Sequence, residues 1–321
     1  MTPAVSVVVA TYNYGRFLAG ALESALTQTF RDLEVVVVDD GSTDETPAVV
    51  RPFLTDPRLR CVRTNHLGQP GAKNVGIRLA RAPLVAFLDA DDLWLPAKLE
   101  RQLPLFEIDR RVGVVYGRRL LIDEEGWPLG YEQPPLYRGR ALEAMFRTNF
   151  VCFSSVVVRR RAFEQAGLFD ERLALAIDYD QWLRVARHWH FDYVDEPLVK
   201  YRVGHANLSR RVEERLTTVL GIMRRFLDEA DGRRLLSPAV VRRALTETYC
   251  HMALVCQQRS RWAALPWMLR ALATEPAYGP LWHGLLSWPL PEAVRRRLRL
   301  AFGRPVAWNV RRRVLSAGGN S

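Results

Sequence analysis

Lysine is nearly absent from this chain: Lys73, Lys98 and Lys200 are the only three, and arginine carries the remaining basic charge. Cysteine is scarce as well. Cys61, Cys152, Cys250 and Cys256 form no C-x-x-C pair and no dense framework, which excludes a disulfide scaffold and predicts reduced core thiols. No stretch approaches the ~18–20 apolar residues that a membrane span needs. The nearest, residues 281–290, is interrupted by His283, Gly284 and Pro289. The N-terminus shows no basic segment followed by an apolar one and enters a strand at Val5. A cytoplasmic location is the expectation.

What is present is unevenly placed. Residues 1–210 hold 27 Lys+Arg and 27 Asp+Glu, so the whole net charge of +11 falls on residues 211–321. With 321 residues the chain can bury a large core. A neutral front, 1–210, and a helical, Arg-rich region, 211–321, are the predicted domains.

The first half alternates strand and helix patterns. Val5–Val9 and Leu33–Val38 read as strands, the second too apolar to be half exposed. Between them, Phe17/Leu18, Ala21/Leu22 and Ala25/Leu26 form a helical stripe. Leu59–Arg63 and Leu84–Leu88 are further strands, the latter after a helix opened by Gln69–Asn74. Such alternation predicts a parallel sheet with right-handed crossovers, which Val112–Tyr116 continues. Leu120–Arg147 reads as loop, Phe153–Val158 as a strand, and Leu198–Val203 as a closing edge strand. A helix begins near Asp178. Beyond Ser209 the pattern is helical, with Val240–Val255 and Trp262–Ala273 as an antiparallel pair. Ala264, Met268, Ala271 and Pro276 fit one loose tetratricopeptide-like repeat, without a second copy.

The chemistry concentrates where strands end. Leu84–Leu88 runs into Asp89-Ala90-Asp91-Asp92, and Leu33–Val38 runs into Asp39-Asp40-Gly41-Ser42-Thr43-Asp44, where Ser42 or Thr43 can cap the next helix. Carboxyl edges of open α/β sheets are ligand sites. Carboxylates crowded there repel one another unless a cation sits among them, and oxygen-rich, partly open sites suit Mg²⁺ or Mn²⁺ that also hold phosphates. A solvated acidic turn gives the same local pattern. With basic Lys73 nearby, the cluster suits a nucleoside diphosphate better than an apolar ligand. Hydrolysis, phosphoryl transfer and glycosyl transfer stay open on these residues alone.

Three segments in order, Val5–Asn13, Val38–Asp44 and Phe87–Asp92, resemble family 2 glycosyltransferases of the GT-A fold. Gly71-Ala72-Lys73-Asn74-x-Gly76 is similar to that family's Ala-Arg-Asn-x-Gly segment. Leu168–Glu171, followed by Asp178-Tyr179-Asp180-x-Trp182-Leu183-Arg184, resembles its acceptor-side motif. The resemblance covers residues 3 to 210 and implies a Rossmann-like, mostly parallel sheet flanked by helices, here with an α-helical C-terminal extension. It further implies inverting, metal-dependent transfer of a sugar from a nucleotide sugar, a UDP-sugar being favoured, to a hydroxyl. On that basis Ala10, Thr11, Tyr12 and Asn13 border the base, Asp40 holds a base N–H, and Asp39 supports the loop. Lys73 lies by the base or diphosphate, and Asp89 with Ala90 by the ribose or sugar. Asp91 binds Mn²⁺ or Mg²⁺, with His205 as a further metal or diphosphate contact, and Asp178 is the general base. The family often has Glu-Asp where this chain has Ile177-Asp178, which leaves Asp180 as the other candidate base. No Gln-x-x-Arg-Trp segment of processive synthases is present, so addition of a single sugar is expected.

The expected partners are a nucleotide-sugar donor and a glycan or lipid-linked acceptor, in cell-surface glycan or glycolipid synthesis. The arginines at 295–297, 299 and 311–313, near Trp282, Trp288 and Trp308, suit an anionic membrane surface at the inner face of the membrane. No nucleic-acid motif accompanies them. Two other functions remain. A sugar-phosphate nucleotidyltransferase would open with a Gly-rich basic loop where this chain has Thr11–Gly15. A decayed enzyme acting as a scaffold would not need intact Asp40, Asp89, Asp91 and Asp178.

Overall fold

Strand β1 (Val5–Thr11) lies parallel to β2 (Leu33–Asp39), in register from Val5 opposite Leu33 to Thr11 opposite Asp39. Every residue of β2 is buried, as its unbroken valines require of a strand covered on both faces. The computed structural model describes residues 2–132, 134–204, 211–229 and 231–279. Two compact units, Met1–His205 and Ala206–Ser321, divide the chain.

In the first unit β3 (Leu59–Arg63) adds to β2, and β4 (Leu84–Phe87) adds to the far side of β1, all four parallel. Helices α1 (Gly15–Leu26), α2 (Thr46–Val50) and α3 (Gly68–Leu79) make the crossovers. Leu18, Ala21, Leu22, Ala25 and Leu26 form the buried stripe of α1. A Cβ at Gly76 would stand 2.3 Å from Val8 Cγ1, so glycine alone lets α3 lie this close to β1. The winding direction reverses between β1 and β4, the switch point at which such sheets open a crevice.

The sheet then continues through β5 (Leu93–Trp94), β6 (Val112–Ile122), β7 (Pro128–Glu132), β8 (Val157–Arg159) and β9 (His190–Arg202). Its order is β3-β2-β1-β4-β8-β6-β9-β5, with β7 paired to β6. Helices α4 (Lys98–Ile108), α5 (Leu142–Arg147), α6 (Arg160–Ala166) and α7 (Ile177–Ala186) flank this half.

Here the structure departs from the sequence reading. β6 runs on to Ile122 and is antiparallel to β7 and β8, so it does not extend a purely parallel sheet. Leu120–Arg147 holds a hairpin and a helix in place of a loop. Phe153–Ser155 is a short 3-10 turn, with the strand confined to Val157–Arg159. Ser155 Oγ donates to Cys152 O at 2.7 Å and accepts from Gly117 N, and such side-chain bonds compete with a regular ladder. β9 is a long interior strand between β6 and β5, disguised by its exposed bulge at Asp195-Glu196. Ser42 and Thr43 do not cap α2; Asp44 accepts from Thr46 N at 3.0 Å.

Two buried assemblies hold the unit. Phe87, Phe153, Phe163, Phe169 and Trp182 form an aromatic cluster with centroids 5.0–6.5 Å apart. At the opposite strand ends, Glu34 is 2% exposed. It accepts from Ser6 Oγ at 2.6 Å and from both N and Nε of Arg81 at 2.8 Å. Burial pushes this carboxyl up, but those hydrogen bonds and the nearby Arg60 charge outweigh it and hold the group below its ordinary value.

In the second unit, α8 (Val212–Glu229) and the short α9 (Gly232–Leu235) precede α10 (Pro238–Arg259) and α11 (Arg261–Thr274). Ser237 and Ser260 cap α10 and α11, accepting from Val240 N and Trp262 N. Ala264, Met268 and Ala271 are buried on α11, which packs along α10. All four cysteines are free, and burial raises their thiols, Cys152 to about 11 and Cys250 to about 12. Among the described residues no helix is long and apolar enough to cross a membrane.

Candidate active site

The two acidic clusters do not adjoin each other; they flank the carboxyl end of β1. Asp40 N donates to Thr11 O at 2.8 Å on one side, and Leu88 N donates to Val8 O at 3.1 Å on the other.

On the β2 side the residues mostly hold loops. Asp39 accepts from Ser42 N at 2.8 Å and pairs with Arg63 at 3.1 Å. Asp40 accepts from Thr64 Oγ1, Leu67 N and Gly68 N at 2.6–2.8 Å. It therefore fixes the turn into α3 before any ligand arrives. Asn13 sits at φ 56° and accepts from Thr43 N at 2.8 Å, so its amide ties the β1–α1 turn to the β2–α2 turn. Tyr12 is exposed and stacks on His66 with centroids 4.1 Å apart. Thr11 Oγ1 is buried with no hydrogen-bond partner among the described residues. Ala10 precedes it on β1, half-buried.

On the β4 side Lys73, which the sequence left between solvent and site, is 3% exposed. Its Nζ donates to Asp89 Oδ1 at 2.8 Å and lies 3.5 Å from the centre of the Phe153 ring. Ala90 is buried and Asp91 half-buried. Asp92 is buried and accepts from Ser154 Oγ at 2.5 Å and from Arg202 N at 2.9 Å. Ser154 Oγ in turn accepts from Asp89 N at 3.1 Å, closing the turn from below. Burial, then the charges of Asp91 and Asp89, push Asp92 well above the ordinary carboxyl range. Asp89 is raised by burial, against the opposing charge of Lys73, with Asp91 and Asp178 adding to the rise. Tyr14 is pushed up to about 12 by burial and by Asp91 and Asp89.

From the start of α7 the charge of Asp178 reaches Asp89. Asn149 Nδ2 donates to Asp178 Oδ2 at 2.7 Å. Asp180 faces elsewhere: it pairs with Arg184 at 2.8 Å, and Arg184 also donates to Leu168 O at 2.9 Å. Of the two candidate bases, Asp178 is the one whose charge reaches Asp89, while Asp180 is held by Arg184. Asn74 donates to Phe169 O and Glu171 Oε1 at 2.9 Å, docking the Leu168–Glu171 segment against α3.

The donor set suits a divalent cation. Lys73 pairs with Asp89 and Arg202 reaches Asp92 and the Asp91 carbonyl, while burial first and the neighbouring carboxylates second raise Asp89 and Asp92. Among the described residues no three His, Cys, Asp or Glu side chains form a preformed metal cage. Such a site fits an ion like Mg²⁺ or Mn²⁺ that draws most of its shell from water and phosphate oxygens. His205 lies outside the described residues, as do the arginines and tryptophans beyond residue 279.

Sequence reasoning missed Asn149, Ser154, Arg202 and His66. The paired serines in an otherwise apolar 151–158 run were the one available signal; the others act through contacts 26 to 110 residues away.

The sequence model of glycosyl transferase family 2 matches residues 6–167. The chain belongs to that family. An uncharacterised glycosyltransferase of Methanocaldococcus jannaschii is 30% identical over 222 residues, which are 67% of this chain and 76% of that protein. Chondroitin synthase of Escherichia coli is 32% identical over 197 residues, 60% of this chain but 28% of the synthase. This family 2 chain thus spans well under a third of that relative. Among solved structures, a Pyrobaculum calidifontis mannosyltransferase bound to GDP-Man and Mn²⁺ superposes with a TM-score of 0.61. The match has 23% identity and covers 94% of this chain and 81% of that one. Staphylococcus aureus TarS 1–349 with UDP-GlcNAc gives 0.62 at 18% identity, covering 88% and 84%. Both share the GT-A fold with this glycosyltransferase, and its helical C-terminal elements follow that fold.

Proposed function

We infer that this glycosyltransferase moves a single sugar from a nucleoside-diphosphate donor to an acceptor hydroxyl with inversion. The observation that carries the reading is the convergence of Asp89, Asp91 and Asp92 with Lys73 and Asp178 at the β1/β4 switch point. UDP is favoured over GDP as the nucleotide, and the relatives named above include one that is named for a glycan, so a glycan acceptor is proposed too.

Tyr12, with Thr11 and Ala10 beside it, borders the base, and the Asp40-fixed turn shapes the wall around it. Lys73 and Asp89 orient the ribose and diphosphate. Asp91, with His205, would hold the divalent cation, which would supply positive charge for the departing diphosphate. Asp178 takes the proton from the acceptor hydroxyl as it attacks the anomeric carbon. Asn149 points that carboxylate, and Lys73 adds a fixed positive charge by the leaving group.

Calorimetric titration with UDP and with GDP, each with and without Mn²⁺, tests the donor site. Metal-dependent binding that vanishes in Asp91→Ala supports the reading, and no binding of either nucleotide or of TDP and CDP would sink it. The proposed domain limits, 1–210 and 211–321, and a peripheral inner-membrane location can be tested by expressing 1–210 alone and by vesicle sedimentation of the full chain.

A further inference from the structure

On the β6–β7 hairpin, Trp127, Leu129 and Tyr131 alternate and are 71%, 55% and 63% exposed. Three large apolar side chains in one short stripe are unusual on a solvent-facing strand. Hydrogen bonds define the hairpin turn that presents them. Asp123 N donates to Trp127 O at 3.0 Å, Trp127 N donates to Asp123 Oδ1 at 2.7 Å, and Gly126 takes φ 98°. The turn also borders the candidate active site. Arg202 Nη1 donates to the carbonyls of Asp123 and Glu124 at 2.9 and 2.6 Å, while its Nε donates to Asp91 O at 2.9 Å. One guanidinium therefore separates the stripe's turn from the acidic loop.

Charge decides between occupants. Residues 120–137 contain Asp123, Glu124, Glu125 and Glu132 and no Lys or Arg. Arg118, Arg119, Arg138 and Arg140 flank that run and Arg16 pairs with Glu124, so the surface is balanced and gives an anionic bilayer no net attraction. A neutral sugar chain suits it: the C–H face of a pyranose packs on Trp or Tyr rings, and its hydroxyls donate to carboxylates, which accept only.

We propose that Trp127, Leu129 and Tyr131 form the docking platform for a carbohydrate acceptor chain, delivering its terminal hydroxyl towards Asp178. The platform deepens the transferase reading above and rests on it for the direction of delivery. Sugar stacking on an exposed aromatic stripe is tolerant of sugar identity, because every pyranose has a C–H face.

The test uses the full chain labelled with 5-fluorotryptophan, with the Trp127 resonance assigned by its loss in Trp127→Phe. The probes are chitotetraose, mannotetraose and cellotetraose, and vesicles of phosphatidylethanolamine and phosphatidylglycerol. The expected result is a saturable shift of the Trp127 resonance with at least one tetrasaccharide and none with vesicles. Trp127→Ala should weaken that saccharide about tenfold, the loss of roughly one stacking contact, and Leu129→Ala should weaken it less. No shift with any saccharide, or a response to vesicles alone, overturns the platform. UDP and GDP with Mn²⁺ are titrated in the same samples. Nucleotide binding without a saccharide response removes the platform and leaves the transferase reading; a saccharide response without nucleotide binding does the reverse.

Discussion

Asn149 Nδ2 donates to Asp178 Oδ2 at 2.7 Å, joining the segment after α5 to the first turn of α7. The contact engages Oδ2 and fixes the direction in which the carboxylate points, and in the proposed mechanism Oδ1 takes the substrate proton. Asn149 also accepts from Val151 N at 3.2 Å, so the amide itself is held.

Asn149→Ala is expected to lower kcat by about 10–100-fold, the cost of losing near-attack geometry, with little change in donor KM. Asp178→Asn should lower it further, since the proton acceptor itself is gone. Steady-state kinetics with a saturating donor separates the two effects. An unchanged kcat in Asn149→Ala would show that the amide does not position the base.

Ligand linkage gives a second check. Mn²⁺ with UDP at about 100 times Kd should stabilise the protein by roughly 2.7 kcal/mol, read as a rise in Tm. Asp91→Asn should abolish that rise and leave the Tm of the ligand-free protein close to that of the parent. Equal rises in both proteins would remove Asp91 from the metal site.

Glu34 sets part of the acid limit. Its folded carboxyl lies below the ordinary value, so its contribution is present above about pH 4.3, the unfolded value, and is lost as pH falls through the folded value. Glu34→Gln should cost about 1–3 kcal/mol at pH 7, and the difference from wild type should shrink in urea denaturation carried out below pH 4. A difference constant with pH would mean the charge is not the source.

The fit of α3 on β1 is a packing prediction. Gly76→Ala places a methyl where Val8 Cγ1 stands and should destabilise the first unit by about 1–3 kcal/mol. Denaturant midpoints of the variant check it; an unchanged midpoint would show that α3 can move away at no cost.

The parallel half was legible because local signals agreed there. Apolar strands, a helical stripe at α1 and acidic strand ends all pointed to one layered sheet. The GT-A resemblance named the carboxylates expected at one site, and Lys73, Asp91 and Asp178 all act on the charge of Asp89. The antiparallel half hid for the opposite reason. β7 exposes its apolar residues, and β9 carries Asp192, Asp195 and Glu196, so neither shows the pattern of a buried strand. Asp40 and Asn13 are ligand contacts by resemblance, and the hydrogen bonds they also make within loops depend on partners 24 to 31 residues away. No periodicity encodes such pairs. The Asp180–Arg184 pair, four residues apart on one helix, is the feature that distinguishes Asp180 from Asp178.

Arg202 donates to Asp92 across 110 residues of sequence. During synthesis Asp92 leaves the ribosome long before β9 does, so the acidic turn must wait for the last strand of the first unit to receive this backbone donor. Closures over such long separations come late. Nascent chains stalled before β9 emerges should therefore show β1–β4 protected from proteolysis while failing to retain nucleotide with Mn²⁺, and release past residue 202 should restore it. Assembly order, on this account, keeps an unfinished enzyme from engaging its donor.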